Sequence, residues 1–524
     1  MSFVSSSFYL MMAVLVPVYY LLFRFKPQIQ WLVLLAVSYI FYAYSSAKFV
    51  AFLLASTVIS WIFPLLFQRE ETRLEDALFG QEQLSQETKK QLKKKTALRK
   101  KYLMAACLSC NLGILVFLKY AGFLNRIAGG SFAFHVALPL GISFYTFQSL
   151  GYCIDVYRGM VNPEANFLKH ALFICYFPQI SQGPIGKYEN LGPQLFAPHG
   201  FEGLEVRRGV ERFLIGLFKK LVVANNLGLF VDSVYNTVPN RSGIVLALAT
   251  VLYAFQLYAD FSGYMDMACG VSQCLGIQLA ENFETPYFSG SISEFWRRWH
   301  ITLGAWFRDY LYYPILRSST FSKLGKVLRK KGKKKLAQKL PVSLALFVTW
   351  FLIGLWHGAD YTFICYGLYH GMFIILDTLL SDFYEKTRQG LSVDTASWFW
   401  TSFRILRTFC ITCFGYILFR ADGMSTAWLV LERIFRFFYY EGWSTGFYSE
   451  QFDIFYWCCI AILLLALFGM ELIERKESVM FWLDRQKLPI RWGILYFLIG
   501  SVLCVVLFSD VHEASAGNFL YFNF

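Results

Sequence analysis

Apolar runs long enough to approach the width of a membrane recur along the whole chain, at 8–23, 31–45, 48–67, 102–118, 243–259, 341–355, 361–380, 398–420, 455–473 and 491–509. Residues 207–235 form a longer, more amphipathic segment, and 427–439 a short amphipathic piece. Residues 133–150 are apolar but broken by Pro139 and Gly141, which predicts a short or kinked helix. Residues 167–180 end in Tyr176-Phe177-Pro178-Gln179 and run into Ser181-Gln182-Gly183-Pro184. Breakers and amides together predict a re-entrant turn lining a cavity, because irregular backbone cannot face lipid. The pattern predicts an all-α, polytopic membrane protein with roughly 11 crossings plus re-entrant and interfacial helices. No stretch is long and polar enough for a separate soluble domain, so 1–524 is expected to be one membrane domain.

The segment 256–313 departs from this pattern. It is moderately apolar yet carries Asp260, Ser262, Asp266, Glu281, Glu284, Glu294, Arg297, Arg298, His300, Arg308 and Asp309. From Phe295 to Leu311, aromatic and leucine residues recur at helical spacing, with Trp296, Trp299 and Trp306 among them. This predicts an amphipathic helix, either anchored at the membrane surface or plugged into a bundle.

Charge orients the chain. Arg24 and Lys26 follow the first apolar run, no charge precedes it, and no small-residue cleavage site is evident, which is the reverse of a cleaved signal peptide. Two basic loops, 68–101 and 317–339, hold most of the net charge of +14. Both are expected in the cytoplasm, with the N-terminus outside, and three spans before the first loop agree with that. Attraction to anionic lipid headgroups explains the charge. A nucleic-acid-binding face is not visible.

The chain is 56% apolar and 19% aromatic, above the usual composition of soluble domains. Its 12 cysteines lie mostly inside apolar runs. Cys107-x-x-Cys110 and Cys410-x-x-Cys413 have metal-ligand spacing but neither histidines nor knuckle glycines nearby, so neither zinc nor disulfides are expected. There is no GxGxxG, P-loop, GxSxG or HExxH, and no duplicated pair of broken helices of the transporter kind.

Two histidines are candidates for chemistry. His357 stands in Leu355-Trp356-His357-Gly358-Ala359-Asp360, between two apolar runs. A titratable group at that depth costs about 2–3 kcal/mol or more, so it needs a partner or a task. Its bland reading is a structural histidine bonded between helices. Trp356 and Gly358 permit close approach of another group, and Asp360 is placed to orient the ring. His300 lies nearer a cytoplasmic loop, with Arg297 and Arg298 beside it to keep it neutral and to bind phosphate. Two histidines reached from opposite faces suggest a tunnel in which neutral imidazole takes a hydroxyl proton during acyl transfer. The other histidines, His135, His170, His199, His370 and His512, are read as loop or span-end residues.

Several ordered motifs then carry a resemblance. Ser293-Glu294-Phe295-Trp296-Arg297-Arg298-Trp299-His300-Ile301-Thr302-Leu303, Trp306-Phe307-Arg308-Asp309-Tyr310-Leu311-Tyr312 and Gly354-Leu355-Trp356-His357-Gly358-Ala359 resemble the signature of the membrane-bound O-acyltransferase family. Leu138-Pro139-Leu140-Gly141-Ile142-Ser143-Phe144-Tyr145-Thr146-Phe147-Gln148-Ser149, Tyr176-Phe177-Pro178-Gln179 with Gly183-Pro184-Ile185, and Asp260-Phe261-Ser262-Gly263-Tyr264-Met265-Asp266-Met267-Ala268 resemble its alginate O-acetylation branch. The resemblance runs from about Leu138 to Gly371.

It implies a funnel-shaped helical bundle in a bacterial plasma membrane, with His357 as the catalytic histidine and His300 as a second functional one. Trp356, Asp360, Arg297, Arg298, Trp299, Arg308, Asp309, Asp260, Ser262, Asp266 and Gln179 would support or line the tunnel. No bound cofactor or metal is implied. The donor would be acetyl-CoA or another acyl thioester, borne by coenzyme A or by an acyl carrier protein; the acceptor would be an exported polysaccharide, served by an extracytoplasmic SGNH-type transferase. The basic insert 317–339 departs from the family pattern and leaves donor or partner docking open. The ending Phe519-Leu520-Tyr521-Phe522-Asn523-Phe524 resembles the tail of a small peptide that works with D-alanyl transferases of the family, which would make Tyr521 an acyl relay; its bland reading is an aromatic interfacial anchor. The rival readings are a D-alanyl transferase for teichoic acids, a proton-coupled transporter or flippase, and an inactive scaffold.

Overall fold

The computed structural model describes residues 1–79, 85–127, 129, 139–390, 394–436 and 452–508. Among them 11 helices are long and apolar enough to cross a membrane, and none of the described residues forms a strand beyond one isolated bridge. This is the all-α, multi-pass architecture the apolar pattern predicts. The chain divides into two compact units, 1–210 with 268–280 and 211–267 with 281–524.

The first unit begins with α1 (Ser6–Phe25), α2 (Gln30–Ser46), α3 (Val50–Phe79) and α4 (Gln86–Ile127). The basic loop expected at 68–101 is largely helical. α3 and α4 have 30 and 42 residues, so they are about 45 and 63 Å long, well beyond the roughly 30 Å of a hydrocarbon core. Their overhangs are tied together by charge: Glu70 accepts from Arg73 (2.7 Å) and Arg99 (3.2 Å), and Glu71 pairs with Lys100.

α5 (Ile142–Tyr157), α6 (Phe167–Cys175), α7 (Phe177–Ile180) and α8 (Tyr188–Phe196) complete this unit, with the start of α9 (Gly203–Leu217). Gly141 precedes α5 at φ +67°, and a Cβ there would lie 1.8 Å from the Ile180 carbonyl oxygen. Only glycine fits that approach. At 176–184 the chain turns tightly: α7 is a single turn, Gly183 N returns to Gln179 O (2.9 Å), and the buried Gln179 donates to Pro184 O (2.8 Å).

The second unit holds the end of α9, a π-helical turn 218–224, α10 (Asn225–Tyr235) and most of α11 (Gly243–Cys274). It continues with α12 (Ile292–Arg298), α13 (Ile301–Phe307), a second π turn 308–312, α14 (Tyr313–Arg317) and α15 (Ser319–Lys330). Then come α16 (Lys334–His357), α17 (Tyr361–Gly390), α18 (Trp398–Arg420), α19 (Gly423–Phe435), α20 (Ile454–Glu474), α21 (Val479–Asp484) and α22 (Leu488–Phe508). The basic insert 317–339, expected as a loop, forms α15 and the first turns of α16. α16 and α17 make an antiparallel hairpin, and α18 and α12 pack against α17.

Candidate functional site

Glycines bring α16 and α17 close together. A Cβ on Gly354 would lie 2.5 Å from the Phe363 carbonyl oxygen, and one on Gly367 would lie 2.7 Å from the Gly354 Cα. Small residues at such contacts let membrane helices gain packing energy from close approach. His357 ends α16 and is 4% exposed. Its ring packs on Trp356 (4.9 Å between centroids), Phe419 (5.3 Å) and Tyr366 (5.7 Å).

His300 arrives by a different route. The single amphipathic helix expected through 293–311 is broken: α12 ends at Arg298, His300 adopts a left-handed φ of +48°, and α13 starts at Ile301. Backbone bonds hold the break. Glu284 N donates to Arg298 O and Ile301 N to Asn282 O, each at 3.0 Å, while Thr302 N and Oγ1 both donate to Asn282 Oδ1. Phe283 and Trp299 form the bridge between them. Such backbone costs about 1–3 kcal/mol and persists only where the surroundings over-determine it. Helical periodicity cannot reveal it, since the partner residues 282–284 lie outside the helix.

The break sets the His300 ring edge-on to Phe261 (4.8 Å) and 6.2 Å from Trp356. Trp356 therefore neighbours both histidines. Burial alone lowers the His300 pKa from its usual value to about 3. The cause is burial, rather than the neighbouring Arg297 and Arg298.

The other predicted residues divide. Trp299 is buried, ringed by Phe283 (5.0 Å), Phe295 (5.5 Å) and Tyr287 (6.0 Å). Arg298 pairs with Glu294 (2.8 Å), Arg297 is exposed, and Arg308 pairs with Asp309 (3.0 Å). Asp360, expected to orient the His357 ring, accepts instead from Thr362 N (3.0 Å) and Oγ1 (3.2 Å), because the first turn of α17 needs a cap. Asp260 is locked with Lys220 (2.6 Å), both almost fully buried, and Asp266 takes Lys219 (2.7 Å) and Arg212 (3.1 Å). Ser262 and Asp266 line a cavity of about 200 Å³ together with Arg212, Lys219, Glu281, Glu471 and Glu474. Gln179 belongs to the first unit. Tyr521, His135 and His512 lie outside the described residues.

His370 is the residue sequence reasoning missed. It sits inside α17 and is fully buried, not at a span end. Tyr366 (4.8 Å), Trp296 (5.2 Å), Tyr369 (5.2 Å), Phe295 and Trp350 surround its ring, and Gly415 leaves room for it, since a Cβ there would meet Nε2 at 2.5 Å. Tyr366 thus touches both His357 and His370. The signal was available in the four-residue spacing of Tyr366 and His370, which puts both on one helix face. His170 is also buried, bonded to Ser60 (2.8 Å).

Comparison with known proteins adds identity. The profile of the MBOAT family, described as the membrane-bound O-acyltransferase family, matches residues 164–419. The chain is 36% identical to the Pseudomonas aeruginosa protein named "Probable alginate O-acetylase AlgI", over 62% of this chain and 59% of that one. It is 32% identical to the Pseudomonas putida protein of the same name, over 78% and 75% of the two chains. It is 30% identical to the "Peptidoglycan O-acetyltransferase" of Helicobacter pylori, over 77% and 72%. His300, Trp356 and His357 fall within the matched region, and the chain belongs to the membrane-bound O-acyltransferase family.

Proposed function

We propose that this protein transfers an acyl group, most simply acetyl, from a cytoplasmic thioester to a hydroxyl of an exported polysaccharide or of a protein that hands the group on to it. One observation carries the reading: two buried histidines from separate elements meet at Trp356 inside an aromatic enclosure. Imidazole is the side chain best suited to accept a proton near neutral pH, and a dry enclosure keeps water from competing for the acyl group.

In the reaction, the His357 imidazole takes the acceptor hydroxyl proton as the oxygen attacks the thioester carbonyl. The carbon–sulfur bond breaks, and the departing sulfur receives that proton. His300 stays neutral because it is buried, and it serves as a hydrogen-bonding group rather than a charge. The basic ends of the helices face the cytoplasm and the N-terminus lies outside, in keeping with the positive-inside rule. An SGNH-type transferase would receive the group outside, with Tyr521 as a relay between them.

The test is polymer O-acetylation in cells carrying His357→Ala, with membrane abundance of the protein measured in parallel. Acetyl content should fall by about 10²-fold or more while the protein persists. Unchanged acetylation would refute the reading. Intact-mass analysis of protein incubated with acetyl-CoA, comparing wild type with Tyr521→Phe, addresses the relay: an acetyl adduct on wild type alone supports it.

A further inference from the structure

The cavity of about 200 Å³ in the second unit is bounded by α9 and the π turn after it, α11, the segment 281–285, the end of α20 and the start of α21. Four carboxylates and two cations line it, and the cations are already committed. Arg212 pairs with Asp266 (3.1 Å) and grips Glu281 through two bonds of 2.7 and 2.6 Å, while Lys219 pairs with Asp266 (2.7 Å). Glu471 and Glu474 are left over. Neither makes an ion pair among the described residues, and Lys219 acts on them only at longer range. Glu471, which is buried, accepts from the Tyr258 hydroxyl, and Glu474 accepts from Val479 N (2.8 Å). They stand three residues apart on α20, so two like charges share one helix face. A buried carboxylate without its cation is costly, which points to a positive group that the chain itself does not supply.

The rest of the lining says what kind of positive group fits. Ser262, only 3% exposed, lines the cavity, and its hydroxyl has no hydrogen-bond partner among the described residues. It adds one acceptor to the two carboxylates. Ile215, Met265, Met470, Val479 and Met480 supply apolar wall. Among the described residues no three acidic, histidine or cysteine side chains are grouped to hold a metal ion. A metal ion needs such closely grouped ligands. A primary ammonium on a short carbon chain instead brings three donors for the acceptors and methylenes for the apolar wall. Asn282 and Phe283, which hold the break at His300, also line the cavity, so an occupant rests against the segment that presents that histidine.

We propose that this cavity binds a primary alkylammonium group, held by Glu471, Glu474 and Ser262. An ethanolamine lipid headgroup and a free aliphatic amine both present that group, so the shared chemistry is the ammonium. α20 has 21 residues and is about 32 Å long, close to the thickness of a hydrocarbon core, and the exposed Glu474 is its last residue. The mouth of the cavity therefore lies at headgroup depth, where either source reaches it. The occupant braces residues 282–284 and takes no part in acyl transfer, so the site stands or falls independently of that reading.

The test uses full-length protein in nanodiscs, with thermal unfolding followed by tryptophan fluorescence at neutral pH, where butylamine is protonated. In phosphatidylglycerol and phosphatidylcholine, saturating butylamine should raise the unfolding temperature of wild type by about 2–4 °C. Tetramethylammonium, which has the charge but no N–H, should leave it unchanged at equal concentration. Exchanging the choline lipid for phosphatidylethanolamine distinguishes the sources. A rise on exchange that blunts the later response to butylamine identifies the headgroup, and a butylamine response that the exchange leaves intact identifies a soluble amine. Glu474→Gln and Glu471→Gln/Glu474→Gln should each move the midpoint of the butylamine titration by about tenfold or more, and Ser262→Ala should move it less. The single substitution at the exposed Glu474 guards against misfolding of the double variant. No rise with either source, an equal rise with tetramethylammonium, or an undiminished response in the glutamine variants would overturn the site.

Discussion

Two buried polar regions of the second unit meet the same difficulty in opposite ways. Where α11 meets the π turn 218–224, the chain keeps full charges and pairs them: Lys220 with Asp260, and Lys219 with Asp266. Around Tyr366 and Trp356 it buries imidazoles and surrounds them with aromatic rings. A buried ion pair holds its two charges fixed, and either one alone is a heavy liability. An imidazole in an aromatic cage can take up and release a proton without breaking a pair. The first arrangement suits a scaffold, and the second suits a reaction.

Breaking a pair should have the largest effect. Lys220→Met leaves Asp260 buried without its cation and should destabilise the protein by about 3–5 kcal/mol. Lys220→Met/Asp260→Leu should recover most of that loss. Thermal unfolding in detergent, followed by tryptophan fluorescence, measures both. A single variant as stable as wild type would mean that the pair contributes nothing.

The sequence disclosed these two regions unequally. Hydrophobic periodicity revealed the helices, and the motif around His357 pointed to the site. The carboxylates at 260 and 266 were visible, but their partners were not. Lys219 and Lys220 are adjacent residues that reach acids six positions apart on α11, and the π turn that presents them has no period of its own. His300 was visible as a residue, while the break that presents it depends on Asn282 and Phe283 across a turn. Asp360 is near the His357 ring in sequence, but its carboxylate is taken up by the start of α17, which needs a cap.

Acidification sharpens the contrast by a smaller amount. Burial holds the His300 pKa near 3, below the ordinary histidine value of about 6.5. Between those values the unfolded chain binds a proton that the folded chain does not, so stability is retained above about pH 6.5 and lost as pH falls. The slope from this one group is at most about 1.4 kcal/mol per pH unit. Unfolding scans from pH 8 to pH 5 should show it, and His300→Asn should flatten the curve, since asparagine tolerates the left-handed backbone at this position. An equally steep curve in the variant would assign the slope to other groups.

The smallest effect should have the opposite sign from the first. Neither ring nitrogen of His370 has a hydrogen-bond partner among the described residues. A buried polar group in that condition carries a desolvation cost of about 1–3 kcal/mol. Leucine is similar in size and polar at no atom, and exchanging buried groups of like volume usually costs less than about 1.5 kcal/mol. His370→Leu should therefore leave the unfolding temperature unchanged or raise it, where Lys220→Met lowers it sharply. The distinction is informative because both residues are polar and buried in the same unit. One is held in place by what it pairs with, and the other occupies its cage at a cost to stability. A drop of several degrees in His370→Leu would show that the imidazole is bonded after all, and the two regions would then differ in degree rather than in kind.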